Sequence, residues 1–410
     1  MTPLRLVFSA LLPFAAGYFM SYLLRAVNAV VAPDLVKDLS LSPGQLGLLT
    51  AAYLGAFALF QLPLGVLLDR YGPRKVQAGL LCVAAAGCAA FAFAPGFIGL
   101  FAARAVIGLG FSAGLMASYK SSATWVPAER RSLANTAIMS MGALGVVVAT
   151  EPTAWLVGLI GWRNAFLVFS GMVLLAAGFI LAAAPRKDTL TAPAPLKQQF
   201  SQMIAIMKTP LFWRIAPLLG LTSGVQIGIQ TLWAGPWLRD VMGYSRAQVA
   251  HHLLFMAVAF MLGILSVGII ADRLARRGIG PMQVMLGFNS LYFVAQAIIV
   301  LRIEALVFPA WLMVAAFGQV AVLAFPWFVA HIGKELAGRA NATINFTMFV
   351  CAFASQYLVG LIIGLFPAVG TGYSPQGYSW AIGLFLAAQL MALGWYLAAA
   401  PHKEIVEKRA

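Results

Sequence analysis

The sequence predicts an all-α integral membrane protein with twelve transmembrane helices in two six-helix bundles. Hydrophobic residues fill 62% of the 410 positions and charged residues 10%, against roughly 45–50% and about 25% in soluble domains. The apolar residues gather in runs of about 20, the length a helix needs to cross a hydrocarbon core about 30 Å thick. Two stretches recur about 200 residues further on, which divides the runs into two sets of six. Runs such as 80–93 and 381–400 do not alternate as barrel strands do. That leaves helices, whose backbone groups are satisfied within each segment.

In order, the first set falls near 7–31, 45–68, 76–94, 97–124, 133–158 and 164–184, and the second near 211–238, 247–271, 281–301, 306–331, 340–367 and 380–400. The first run follows Arg5 but is long and leads straight into further spans, so it reads as an uncleaved helix. Pro152 is expected to free a carbonyl and bend the fifth helix. The longest polar connection holds Arg186, Lys187, Asp188 and the amphipathic stretch Leu196 to Met207. The expected division is an N-terminal bundle over 1–184, a cytoplasmic linker over 185–210 and a C-terminal bundle over 211–410.

A net charge of +15 could indicate nucleic acid, but the basic residues occupy short connections and form no stripe interleaved with aromatics. No nucleic-acid partner is expected. With the N-terminus inside, 19 of the 27 Lys and Arg residues fall in inside connections and five outside. Basic residues are retained on the cytoplasmic side. Both termini are therefore expected in the cytoplasm, with the protein multi-pass in the cytoplasmic (inner) membrane. Cys82, Cys88 and Cys351 lie in apolar runs without metal-like spacing, so they read as packing residues, and no metal or cofactor is expected. Gly108, Gly110 and Gly114 follow no strand and fit helix packing. No Gly-x-x-x-x-Gly-Lys-Ser/Thr loop occurs, which argues against an ATP-driven pump.

The recurring stretches are Gly65-Val-Leu-Leu-Asp69-Arg70 with Gly268-Ile-Ile-Ala-Asp272-Arg273, and Leu133-Ala-Asn135-Thr-Ala-Ile138 with Arg339-Ala-Asn341-Ala-Thr-Ile344. Paired repeats allow a carrier to rock about a site between its halves. Extended to Tyr71-Gly72-Pro73-Arg74-Lys75, the first stretch resembles the signature loop of the major facilitator superfamily. Arg104-Ala-Val-Ile-Gly108-Leu-Gly110 resembles that family's fourth-helix motif. The resemblance spans the chain and implies secondary transport driven by an ion or solute gradient. It gives gating roles to Gly65, Asp69, Arg70, Arg74, Arg104, Asp272 and Arg273, with Asp69 able to pair with Arg70 or Arg74.

Tyr22-Leu-Leu-Arg25-Ala-Val-Asn28 through Pro33, with Leu41-Ser-Pro-Gly-Gln45-Leu-Gly47, is similar to the first helix and turn of organophosphate antiporters and anion:cation symporters. In those groups an arginine at the position of Arg25 binds the substrate's anionic group. Gln61 replaces a lysine found in some organophosphate carriers, and the seventh helix has no buried arginine, which favours monocarboxylates over phosphate esters. The fifth helix lacks the Gly-Pro-Gly-Gly pattern typical of drug/proton antiporters.

An arginine inside a span costs at least about 2.5–3.5 kcal/mol, so Arg25 should face a cavity or a partner. Snorkelling or a carbonyl contact is the plainer alternative. Glu151 is the acidic residue lying well within a span, at a depth similar to Arg25. The two could meet across the cavity, with Glu151 carrying the coupling proton and an anion competing for Arg25; a permanent salt bridge is the alternative. Lys120 could guide an anion at the inner mouth or snorkel to headgroups, and His331 could titrate or be solvated at the interface. Thr222, Gln226 and Gln230 share a helix face with Trp233 nearby, and Asn341, Asn345 and deeper Gln356 lie on the eleventh helix. With Tyr22, Gln61 and Trp327 they would wall a cavity for a small organic anion, although interhelical hydrogen bonding explains the amides as well. The expectation is a monomeric, proton-coupled symporter of an organic anion, probed against an exporter of an amphipathic metabolite or drug, and against a sensor or enzyme on the same scaffold. No Ser-His-Asp or metal-cluster pattern supports an enzyme.

Overall fold

A computed structural model describes residues 7–127, 130–185, 196–370 and 372–398. The linker residues 186–195 and the basic residues near both chain ends lie outside them. Among the described residues, nine helices are long and apolar enough to cross a membrane, with a tenth if Phe8–Ala26 and Asn28–Leu39, bent by 45°, form one span.

Two glycines account for helices that run too long. Pro43–Phe93 has 51 residues, about 75 Å of helix, more than twice the hydrocarbon thickness. Within it Gly72 has φ 77° and ψ 160°, a conformation that side chains with a Cβ avoid. Pro73 then opens the next helix with its ring preset for that position. Gly161, at φ 76° and ψ 160°, divides Glu151–Ala183 in the same way. So divided, the helices fall into segments over 7–39, 43–71, 73–93, 97–125, 131–160 and 162–183. After the helix Leu196–Met207 come 210–242, 246–275, 281–301, 304–332, 337–364 and 375–398. Segments are numbered below in that order, the linker helix apart.

The first segment runs to Leu39, past the expected end near 31. Pro33 lacks the N–H that would reach the Ala29 carbonyl, but helix is maintained beyond it. The expected bend before Pro152 is present: the fifth segment breaks at Ala149–Thr150, and the Thr153 hydroxyl donates to the freed Val148 carbonyl at 2.7 Å. The fourth and tenth segments also break, around 112–113 and 318–319, and the seventh contains a π-turn over Ile229–Trp233. Such irregular backbone is tolerated at membrane depth where protein surrounds it.

Large apolar side chains cover the outside, with Trp155 68%, Leu175 75% and Met391 70% exposed, as a lipid-facing surface requires. The seventh segment is central, its most apolar window 89% buried, whereas that of the twelfth is 28% buried. The side of the molecule holding the described start of the first segment and the described end of the twelfth is called here the terminal face. The Ser121 hydroxyl donates to the Ala10 carbonyl there, and Trp395 Nε1 to the Trp213 carbonyl. On the far face the halves meet directly. Arg246 of the eighth segment makes a two-point contact with Asp34 of the first, at 3.1 and 2.8 Å.

Candidate functional site

The bend at Val27 places Arg25 at the end of the first helical piece, where it is 7% exposed. Its guanidinium carbon lies 4.6 Å from the Tyr22 ring centroid, 5.0 Å from Phe57, 5.1 Å from Phe349 and 5.9 Å from Tyr53. Phe57 belongs to the second segment and Phe349 to the eleventh, with ring centroids 4.4 Å apart. The cage is therefore closed by both halves. A cation over an aromatic face gains about 0.5–1 kcal/mol at exposed sites and about 2 kcal/mol or more when desolvated. Several such contacts hold the charge without neutralising it.

Arg104 lies just beyond Tyr53, fully buried, its guanidinium carbon 5.7 Å from that ring. Its Nη1 donates to the Leu24 carbonyl at 3.1 Å, the backbone just before Arg25. Nε of Arg25, and Nε and Nη2 of Arg104, are buried without hydrogen-bond partners. Neither guanidinium takes part in the ion pairs found among the described residues. A buried charge left without a counter-charge is costly. The pair thus creates a strongly anion-attracting centre.

Arg25 and Glu151, which the sequence allowed to meet, do not. Glu151 opens the helical piece after the Ala149–Thr150 break, its side chain 52% exposed, and faces His251 of the eighth segment at 3.6 Å. The Glu151 side chain turns towards the other half rather than towards Arg25. Lys120 is also placed differently from either expectation: its ammonium pairs with Asp69 at 2.6 Å and donates to the Leu68 carbonyl at 2.8 Å. Asp69 therefore pairs with Lys120 and not with Arg70 or Arg74. Arg74 donates to the Leu181 carbonyl, and Arg70 lies over the Tyr71 ring. A Cβ at Gly65 would approach Gln199 of the linker helix at 3.3 Å. In the second copy, Asp272 and Arg273 are exposed and Gly268 meets no close neighbour.

Of the expected cavity amides, Gln226 and Gln230 do come together. Gln319 donates to Gln226 at 2.5 Å, and Gln226 in turn donates to Gln230. Gly318 makes room for this chain, since a Cβ there would overlap Gln226 Cγ. Gln230 reaches a small void of about 20 Å³ beside Ala26, Thr150 and Met256, between the halves. Three others are engaged in packing instead. Gln61 donates to the Ser112 carbonyl at 3.0 Å. Trp233 is fully buried and donates to the Gln356 carbonyl at 2.9 Å, while the Gln356 amide donates to Thr231 at 3.0 Å. Asn345 is half-buried one turn from Phe349, and Asn341 and Trp327 are likewise half-buried. Thr222 is buried with its hydroxyl unpartnered. His331 stacks over Trp327 with ring centroids 4.1 Å apart.

Phe57, Phe349, Tyr53, Gln319 and His251 were not singled out from the sequence. Phe57 lies four residues before Gln61, and Phe349 four after Asn345, so helical period put both on faces already of interest.

Membrane-length helices, a bare guanidinium cage closed by both halves and an apolar exterior define an integral membrane transporter. The chain belongs to the Major Facilitator Superfamily, whose family model matches residues 14–355. It is 25% identical over 374 residues to a probable sulfoacetate transporter of Cupriavidus necator, covering 84% of this chain and 85% of that one. It is also 26% identical over 371 residues to a chloramphenicol resistance protein of Streptomyces lividans, covering 88% and 90%. Its fold matches a bacterial homolog of the human lysosomal transporter Spinster, in an inward-facing and unoccupied conformation, with a TM-score of 0.75 at 16% identity over 97% of both chains.

Proposed function

We propose that this transporter carries a small organic anion, a carboxylate or sulfonate with a partly apolar body, through the cytoplasmic membrane by alternating access. The observation that carries this reading is Arg25: buried, caged by rings from both halves and, among the described residues, without a carboxylate partner. An anionic ligand would supply the missing counter-charge in a water-poor site, where such contacts are strongest. The relative named for sulfoacetate supports the substrate class. Twelve spans, bundles over 1–184 and 211–410 joined by a cytoplasmic linker, both termini in the cytoplasm and a monomer in the bilayer complete the reading. The far face is then the outer one. Arg70, Arg74, Arg104, Asp69, Gly65, Asp272 and Arg273 serve gating.

Proton symport is the proposed coupling. Glu151 and His251 are titratable groups 3.6 Å apart from opposite halves, so a proton gained or lost there alters a contact between the bundles. Accumulation of radiolabelled organic acids by cells making the protein tests both points. Uptake that collapses with a protonophore is expected, as is loss of proton-driven accumulation in Glu151→Gln. Gradient-driven accumulation retained in that variant would remove Glu151 from coupling. The relative named for chloramphenicol resistance favours a second reading, export of an amphipathic compound. Lowered cellular content of such a compound, with no acid accumulated, would select it.

A further inference from the structure

Between the two halves near the far face lies a cavity of about 130 Å³, separate from the Arg25 cage. Its walls are apolar, from Val30 and Ala154 in the first half and Val249 and Leu253 in the second, and its charged lining residues are Arg239 and Arg246. Both are cations; each is paired with a carboxylate, so the two pairs are neutral overall, while their guanidinium groups are what line the cavity. Asp240, its side chain 1% exposed, accepts from Arg239 Nε at 2.6 Å, from the Tyr373 amide at 3.1 Å and from the Tyr378 hydroxyl at 2.8 Å. Three donors hold that carboxylate in place. They fix Arg239 through Nε, while its terminal nitrogens remain available for a second anion. Arg246 is pinned on the other side by Asp34.

This cavity also leads somewhere. Ala29, Val30 and Leu253 line both it and the smaller void that reaches Ala26 and Gln230. Ala26 follows Arg25 in the chain, and Gln230 ends the amide chain described above. The two voids thus share a wall, and the smaller one borders the residue next to Arg25.

We propose that this chamber is a second anion site, which recruits a small carboxylate or sulfonate at Arg239 and Arg246 before it passes to Arg25. The proposal rests on the anion-transport reading above. Its shape and apolar walls suit a short acid whose head group meets the guanidinium groups and whose body packs against Val30 and Leu253.

Calorimetric titration of the purified full-length protein with sulfoacetate, and with propionate as the arm lacking a sulfonate, tests it. Replacing Arg239 alone would strand the buried Asp240 carboxylate, so Arg239→Gln is combined with Asp240→Asn. Wild type is expected to show two binding events. Arg25→Gln should keep the weaker one, and adding the Arg239/Asp240 pair of changes should abolish it. In proteoliposomes the double variant should raise KM about tenfold, with kcat within about twofold, and Arg239→Lys should fall between it and wild type. A single binding event that Arg25→Gln removes entirely overturns the chamber while leaving the transport reading intact. So does a double variant that loses kcat and thermal stability at unchanged KM, which would mark a purely structural pair. Absence of any binding by either acid in every variant counts against the anion reading itself.

Discussion

Arg25 is unusual because its neighbours attract a cation without neutralising it. Tyr22, Phe57 and Phe349 offer ring faces within 5.1 Å, and the charge remains available. Its importance was legible in the sequence, since a charge within a span is rare for an energetic reason. The rings were not, because two phenylalanines among 28 carry no mark of their own. Glu151 shows the limit of counting depth along a run. Rise gives the height of a residue, but each residue also turns about 100° round the axis, and the break at Ala149–Thr150 resets that angle. The Gln319–Gln226–Gln230 chain supplies a residue-scale prediction. Gly318→Ala would force a Cβ into Gln226, and overpacking of this kind costs about 1–3 kcal/mol. Its thermal midpoint should fall and its apparent substrate affinity should weaken; an unchanged midpoint and KM would show that the amide chain tolerates displacement.

At the scale of single helices, prolines and motif glycines announced themselves and other breaks did not. Pro152 foretold the fifth-segment break, and Thr153 explains how the freed Val148 carbonyl is satisfied. The interruption at Gly318–Gln319 lies eight residues before Pro326 and was not singled out; there the bare glycine lets Gln226 of another helix pack against the backbone. Gly161 acts as a corner between segments through its positive φ. A side chain there meets open space but not an easy backbone, at a cost of about 1–3 kcal/mol. Gly161→Ala is therefore expected to lower the thermal midpoint without changing KM. A midpoint equal to wild type would mean that the corner relaxes out of the left-handed region.

In the whole molecule, two halves alike in scaffold divide their roles unequally. The first supplies Arg25 and Arg104; the second contributes Phe349, the amide chain and the arginines at the far face. The repeat was legible from Gly65–Arg70 and Gly268–Arg273, but the closure of the far face was not, because it depends on contacts across about 200 residues of sequence. Gly235 is one such contact: a Cβ there would overlap the Ala29 carbonyl oxygen, the acceptor that Pro33 leaves without its helical donor. Gly235→Ala should wedge the far face apart. Spin labels at Lys37→Cys and Ala247→Cys, both exposed on that face, should report a longer mean distance in the variant; an unaltered distance would show that Gly235 does not hold the halves together. The central claim, that Arg25 binds the transported anion, is met most directly by initial uptake rates of organic acids in proteoliposomes containing wild type, Arg25→Ala or Arg25→Lys, each shown to be folded by its thermal transition. Uptake is expected to vanish in Arg25→Ala and to persist weakly in Arg25→Lys, which keeps the charge and loses the planar fork. Wild-type uptake by a folded Arg25→Ala protein would contradict it.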